Sequence, residues 1–533
     1  MKNAKRRLAL GLALMLCIGS LAGCGKNAGE AGNTSKGETK NEDAKSGSAA
    51  DEKVSEVDTS EEVKLIYYLW GGEGVANQDI LAEINKKLKA DINATIEVKY
   101  IDWGDIGTKY PLLFASGEEF DMSHASPNAV MPYGTIATQG AAVDITDMLD
   151  TYAPTLKAEI PESVWASAKV NGRIYGVPTL YSEFTPSGFV TRRDLAQKYG
   201  VAEVNSIETM EAYLDAALAA GDMVPMNGTS AMAMDLYRLL IDTTGSWISE
   251  APGISTSEMF LAASSAENYA DVFHPAFTGE FEAFAVKMRE WADKGYWTKD
   301  VLSSQQSAKD NFLNGLSASY ITHMADWSGT YGSINDKLGV ETDFWCFAEE
   351  NGKIKRKMGV ENTTVISTTS KHPERALMAI EKFMTDESYY RLIQYGIEGR
   401  QYEIVDGLAK QPAGYDPEKD AGGFAVWSLR NDRFNIPYAT EDPRRYELNE
   451  KWNKVAIDNP YVGFIFDPGN VTTEIAAISN VNAQLGTQIM LGKTTQDPVE
   501  AVAEYRKQLE QAGINTVIEE VKSQLADFTP VGK

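Results

Sequence analysis

The 533-residue sequence predicts a mixed α/β fold divided into about two lobes. Three observations carry that expectation. Beyond a polar N-terminal stretch about 470 residues remain, too many for one hydrophobic core. The first of these read strand, helix, strand, helix, strand, the pattern of right-handed crossovers in a parallel sheet. Further along, strands keep interrupting the helices, and no repeat at solenoid periods is present.

The chain opens with Lys2, Lys5, Arg6 and Arg7, an apolar run from Leu8 to Leu21, and Leu21-Ala22-Gly23-Cys24. The run is shorter than the roughly 20 apolar residues of a bilayer span and fits a signal h-region. Its end resembles a bacterial lipobox, which implies lipid transfer to Cys24 and cleavage before it, so 1–23 is expected to be a lipoprotein signal peptide. Residues 24–60 are Gly-, Ser-, Asn- and charge-rich, cannot bury enough surface to offset ordering entropy, and are expected to form a disordered tether.

The folded part begins with a strand at Val63–Trp70. After Gly71-Gly72, a helix from about Asn77 to Lys89 carries Leu81, Ile84 and Leu88 on one face. Ala94–Tyr100 alternates as a strand, a helix runs through Ile106, Tyr110 and Leu113 to near Gly117, and a third strand covers Phe120–His124. Later, Phe281, Phe284, Met288 and Trp291 mark a helix ending at Gly295, Ala318–His323 reads as a strand, and His372-Pro373 and Asp497-Pro498 start two more helices.

Charge and cysteine usage exclude several function classes. Net charge is −26, near −30 without the first 23 residues, and no basic stripe is present, so nucleic acid is not an expected partner. Of three cysteines, Cys17 lies in the signal and Cys24 at the lipobox; Cys346, between Trp345 and Phe347, reads as a small buried hydrophobe. The four histidines form no HExxH or Cys/His cluster, so neither metal nor cofactor is expected. Gly492-Lys493-Thr494 resembles the end of a P-loop but has Thr487 where the motif needs Gly, and no GxSxG is present. A carboxylate pair for glycoside hydrolysis needs a separation that sequence does not supply.

Aromatic residues beside polar groups are the positive signal. Trp70, Trp103, Trp327, Trp345 and Trp427 fall at strand ends or in loops, where a flat apolar face with hydrogen-bonding neighbours suits a sugar ring. In a parallel sheet, ligands lie beyond the carboxyl ends of the strands, here Trp70–Gly72 and the loop holding His124, Ser126 and Asn128. Trp427 and Arg430 are further candidates, Arg430 as a partner for sugar hydroxyls or an acidic sugar, or as a surface ion pair.

Leu112 to Asp121 (LLFASGEEFD) resembles the "LLASGxxPD" stretch of extracellular solute-binding proteins of ABC sugar importers, and Asn171 to Pro178 (NGRIYGVP) resembles their "NGKxYGVP". Tyr395 to Tyr402, Phe466-Asp467-Pro468, Thr473 to Ala477 and Gln511 to Ile514 are similar to a subgroup with a C-terminal domain of uncharacterised role. Phe120 departs from the family's Pro before Asp121. The resemblance implies a periplasmic-binding-protein-like, Venus-flytrap fold with a multi-strand hinge crossing near Leu180–Pro186, Thr342–Phe347 and Gly396–Ile404. Residues 61–182 and 343–396 would form lobe 1; 183–342 and 397–533 would form lobe 2 and the C-terminal helices. It also implies Trp327, with Asp326 beside it, as the stacking platform, and Glu183 as a ligand-contacting acid at the first crossing. The implied function is non-enzymatic: a monomeric lipoprotein on the extracytoplasmic face of the cell membrane captures a carbohydrate, expected to be an oligosaccharide, for an ABC permease. A lipid-anchored glycoside hydrolase, and the same fold binding a peptide or other small solute, are the alternatives.

Overall fold

The computed structural model describes residues 57–127, 129–181, 184–245, 247–249, 260–356, 359–424 and 427–530. The expected signal peptide, Cys24, almost all of the expected tether, Asn128 and Glu183 lie outside them.

The first lobe is built on a five-stranded sheet. β1 (Val63–Trp70) alternates buried Val63, Leu65, Tyr67 and Leu69 with more open positions. α1 (Asn77–Ile92) buries Ile80, Leu81, Ile84, Leu88 and Ile92; the apolar stripe carries it one turn beyond Lys89, until Asn93 adopts a left-handed φ of 49°. β2 (Ala94–Ile101) pairs with β1 in parallel, Val63 opposite Ala94 and Trp70 opposite Ile101. α2 (Ile106–Ala115) then leads to β3 (Met122–Ala125), parallel to β1 on its other side. Phe120, where the family pattern has Pro, is fully buried edge-on to Tyr68 and Phe114. Thr363–Ile366 and Gly176–Pro178 extend the sheet antiparallel, in the order β2, β1, β3, Thr363–Ile366, Gly176–Pro178.

The second lobe has a four-stranded sheet in the order Thr342–Cys346, Ser187–Arg192, Ser317–His323, Val224–Met226. Its main core joins Phe189 and Met226 to Met288 and Trp291 of helix Gly279–Lys294, Val502 and Tyr505 of Pro498–Gln511, and Val517 and Val521 of Ile514–Ala526. Each sheet buries its own apolar set, which makes the architecture two-lobed.

Two chain segments lie differently from the expected division. Thr342–Cys346 pairs along its whole length with Ser187–Arg192, so the chain returns to lobe 1 later than expected, between Cys346 and Thr363. After Gly396 the chain remains with lobe 1: Phe424 and Leu429 enter its core, the Leu180 N–H donates to the Arg430 carbonyl, and the Asp432 N–H donates to the Leu180 carbonyl. Trp452 is the first large buried side chain of the following stretch to join a second-lobe cluster. Short sequence motifs carried the expected boundaries, whereas strand pairing at a distance sets the observed ones. Among the described residues, no helix is long and apolar enough to cross a membrane.

Candidate ligand-binding site

The carboxyl ends of β1, β2 and β3 converge on a cavity of about 560 Å³. Trp70 ends β1, Trp103 follows β2, and His124 lies near the end of β3. The place is the one the topology dictates, since loops leaving parallel strands on one edge form a crevice there.

Lobe 1 supplies an aromatic wall. Trp70 meets Trp103 at 6.4 Å between ring centroids, and Trp103 meets Trp427 at 5.5 Å. Trp427 reaches the wall because its neighbours are tied to the lobe-1 sheet: Ser428 Oγ lies 3.1 Å from Tyr67 Oη, and Thr364 Oγ1 donates to the Ser428 carbonyl at 3.2 Å. Trp103 is 58 % exposed, and a tryptophan this open beside two others leaves stacking surface for an apolar ring face.

Polar groups frame this wall. The His124 ring lies 4.1 Å from that of Trp70, and its Nε2 is 3.0 Å from Asn362 Oδ1. Burial pushes the His124 pKa down to about 4, so the ring is neutral at pH 7 and donates its Nε2 proton to Asn362. Arg430 lays its guanidinium over Tyr181 at 3.8 Å, and Arg445 Nη1 donates to Glu441 Oε1 at 2.7 Å. Tyr446 Oη donates to the other Glu441 oxygen at 2.8 Å. From lobe 2, Thr185, His323 and Ala325 face the same space. Flat apolar faces beside fixed donors and acceptors match a sugar, with its C–H faces and hydroxyl rim.

Four sequence candidates, Trp70, His124, Trp427 and Arg430, are brought together here. Trp327 is placed elsewhere, and this corrects its expected role as platform. It is 2 % exposed, its Nε1 donates to Thr342 Oγ1 at 2.9 Å, Phe344 stacks on it at 5.3 Å, and the Arg444 guanidinium sits 5.0 Å over its ring. A ring so covered has no face left for a ligand. Asp326 likewise does not line the cavity: its carboxylate accepts from Lys309 Nζ at 2.8 Å and Thr322 Oγ1 at 2.9 Å. Ser126 is buried, with its carbonyl accepting from Ala129 and Tyr133. Trp345 is packed in the second-lobe core. Trp103, also among the tryptophans that the sequence singled out, joins Trp70, His124, Trp427 and Arg430 at the cavity, whereas the 435–445 stretch was missed.

Comparison with known proteins agrees with this geometry. The family model described as "Bacterial extracellular solute-binding protein" matches residues 81–396, and a domain of unknown function, DUF3502, matches 460–530. A relative from Streptococcus pneumoniae serotype 4 (strain ATCC BAA-334 / TIGR4), named "Carbohydrate ABC transporter substrate-binding protein", is 25 % identical over 457 residues, covering 84 % of this chain and 88 % of its own. The crystal structure of the N-glycan transport solute binding protein of Streptococcus pneumoniae superposes with a TM-score of 0.73 at 22 % identity, covering 88 % of this chain and 99 % of that one. The structure of that protein in complex with Man5GlcNAc gives 0.64 at 22 % identity, covering 87 % and 98 %.

Proposed function

The chain belongs to the bacterial extracellular solute-binding protein family, and from that premise we propose that it captures an oligosaccharide between its lobes and delivers it to an ABC permease. One observation carries the carbohydrate reading: the wall of Trp70, Trp103 and Trp427 beside a hydrogen-bonding rim in one cavity. The named ligands of similar proteins, carbohydrate in one and Man5GlcNAc in another, support the same class. Binding alone is the task, so closure of the lobes follows from the ligand's greater affinity for the closed arrangement. Lipid on Cys24 would hold the binder beside its permease and raise their effective concentration.

Thermal denaturation with mannose-containing glycan fragments, other oligosaccharides, amino acids and peptides tests the proposal. A ligand at about 100 times its Kd stabilises the folded form by about 2.7 kcal/mol, a readily measured rise in Tm. Stabilisation by oligosaccharides recovered intact supports the binder. Cleaved products would make it a hydrolase, and stabilisation by peptides alone would sink the carbohydrate claim.

A further inference from the structure

Away from the ligand cavity, one contact joins the lobes side by side. Tyr461 and Phe466, in the stretch matched by the domain of unknown function, are buried in the second-lobe core, and Phe464 packs at its border. Ile465, between them, faces the opposite way and packs against the first-lobe cluster that holds Tyr133 and Ile136. Its seat is the backbone of Gly134. A Cβ built on that glycine would stand 2.8 Å from Ile465 Cγ1 and 3.0 Å from Cδ1, with Cγ2 nearer still. Gly134 is not in the left-handed region, so space and not backbone conformation calls for glycine there. Pro127, Pro132, Thr135 and Val360 line the same pocket, and none of them lines the ligand cavity.

The seat also connects mechanically to the ligand cavity. Gly134 lies in the helix Tyr133–Thr138, whose first residue donates its N–H to the Ser126 carbonyl at 3.1 Å, two residues beyond His124. Close-packed apolar contacts are bistable rather than continuously deformable, so a side chain fitted to a glycine-sized hole holds one relative placement of its two supports. In the placement seen here Trp103 is still 58 % exposed at the cavity, an arrangement open to an incoming ligand. A closure that moves the carrier of Ile465 relative to its seat would break this contact. A contact that favours the open arrangement opposes closure, and the apparent affinity falls with the fraction of closure-competent molecules.

We propose that Ile465, seated on Gly134, is an inter-lobe latch through which the C-terminal region holds the open arrangement and lowers ligand affinity from outside the cavity. The affinity part rests on the oligosaccharide-binding reading above. The test compares wild type with Ile465→Ala, Ile465→Val and Gly134→Ala, using calorimetry with the oligosaccharide that most raises Tm and small-angle scattering without ligand. Ile465→Ala is expected to tighten binding roughly fivefold to tenfold and to shrink the ligand-free radius of gyration, as weight moves toward the closed state. Gly134→Ala should act in the same direction by expelling Ile465, and Ile465→Val more weakly, which keeps the test usable if the alanine variant folds poorly. Unchanged or weaker binding overturns the latch, including the case in which the seat is a pivot common to both states. If no oligosaccharide binds the wild type, the carbohydrate reading fails, but the scattering comparison still decides: an unchanged radius of gyration in Ile465→Ala overturns the latch.

Discussion

Single tryptophans divide here by what covers them. Trp103 buries little on folding, so Trp103→Ala should leave Tm nearly unchanged while weakening oligosaccharide binding at least tenfold by calorimetry; equal binding would remove it from the site. Trp327→Ala should do the reverse. Removing a buried, stacked and hydrogen-bonded indole costs about 3–5 kcal/mol in chemical denaturation, while the folded fraction keeps its affinity. Two buried histidines give a pH dependence of known sign. Burial lowers His124 to about 4 and His274 to about 3, below the roughly 6.5 of an unfolded chain, so the unfolded state binds more protons between those values. Their stabilisation is complete above about pH 6.5 and declines as pH falls toward 4, by about 1.4 kcal/mol per pH unit for each ring. Unfolding free energies measured at pH 7, 6, 5 and 4.5 should trace this slope, and His274→Gln should reduce it by about half. An unchanged slope in that variant would exclude His274 as a source. None of this residue-level division was legible in the sequence, because Trp103 and Trp327 have equally polar neighbours and only packing decides which ring is covered.

Helices and strands were easier to read, because their signals are local. Asp497-Pro498 announced a helix start, and Asp497 Oδ1 does accept the Val499 N–H at 2.9 Å. Gly295 announced a helix end and has a φ of 90°, where any side chain is strained. At the other end of that helix, Thr278 Oγ1 accepts the Phe281 N–H at 3.2 Å. Thr278→Ala and Gly295→Ala should each cost about 1 kcal/mol in urea unfolding with little change in ligand affinity. Two variants as stable as wild type would show that these ends contribute nothing. What local signals did not reveal was partnership. Thr342–Cys346 reads equally well as a hinge crossing or a sheet edge, and its five-residue pairing with Ser187–Arg192 makes it the edge.

At the scale of the molecule, two separately buried cores make hinge motion available, since each lobe keeps its own apolar interior when the angle between them changes. Saturating oligosaccharide should therefore reduce the radius of gyration in small-angle scattering, and a ligand that raises Tm without compaction would contradict binding by closure. By itself the sequence determined the elements, the mixed α/β class and, through ordered motifs, the family, because periodicity, caps and short fingerprints are properties of neighbours along the chain. It also determined the approximate place of the site, since strands that run parallel must gather their carboxyl ends on one edge. Only the tertiary structure decided which tryptophans form the wall, where the chain crosses between lobes, and that Ile465 of one lobe rests on Gly134 of the other. Those facts depend on residues hundreds of positions apart competing for the same space, and close packing settles that competition only in the folded chain.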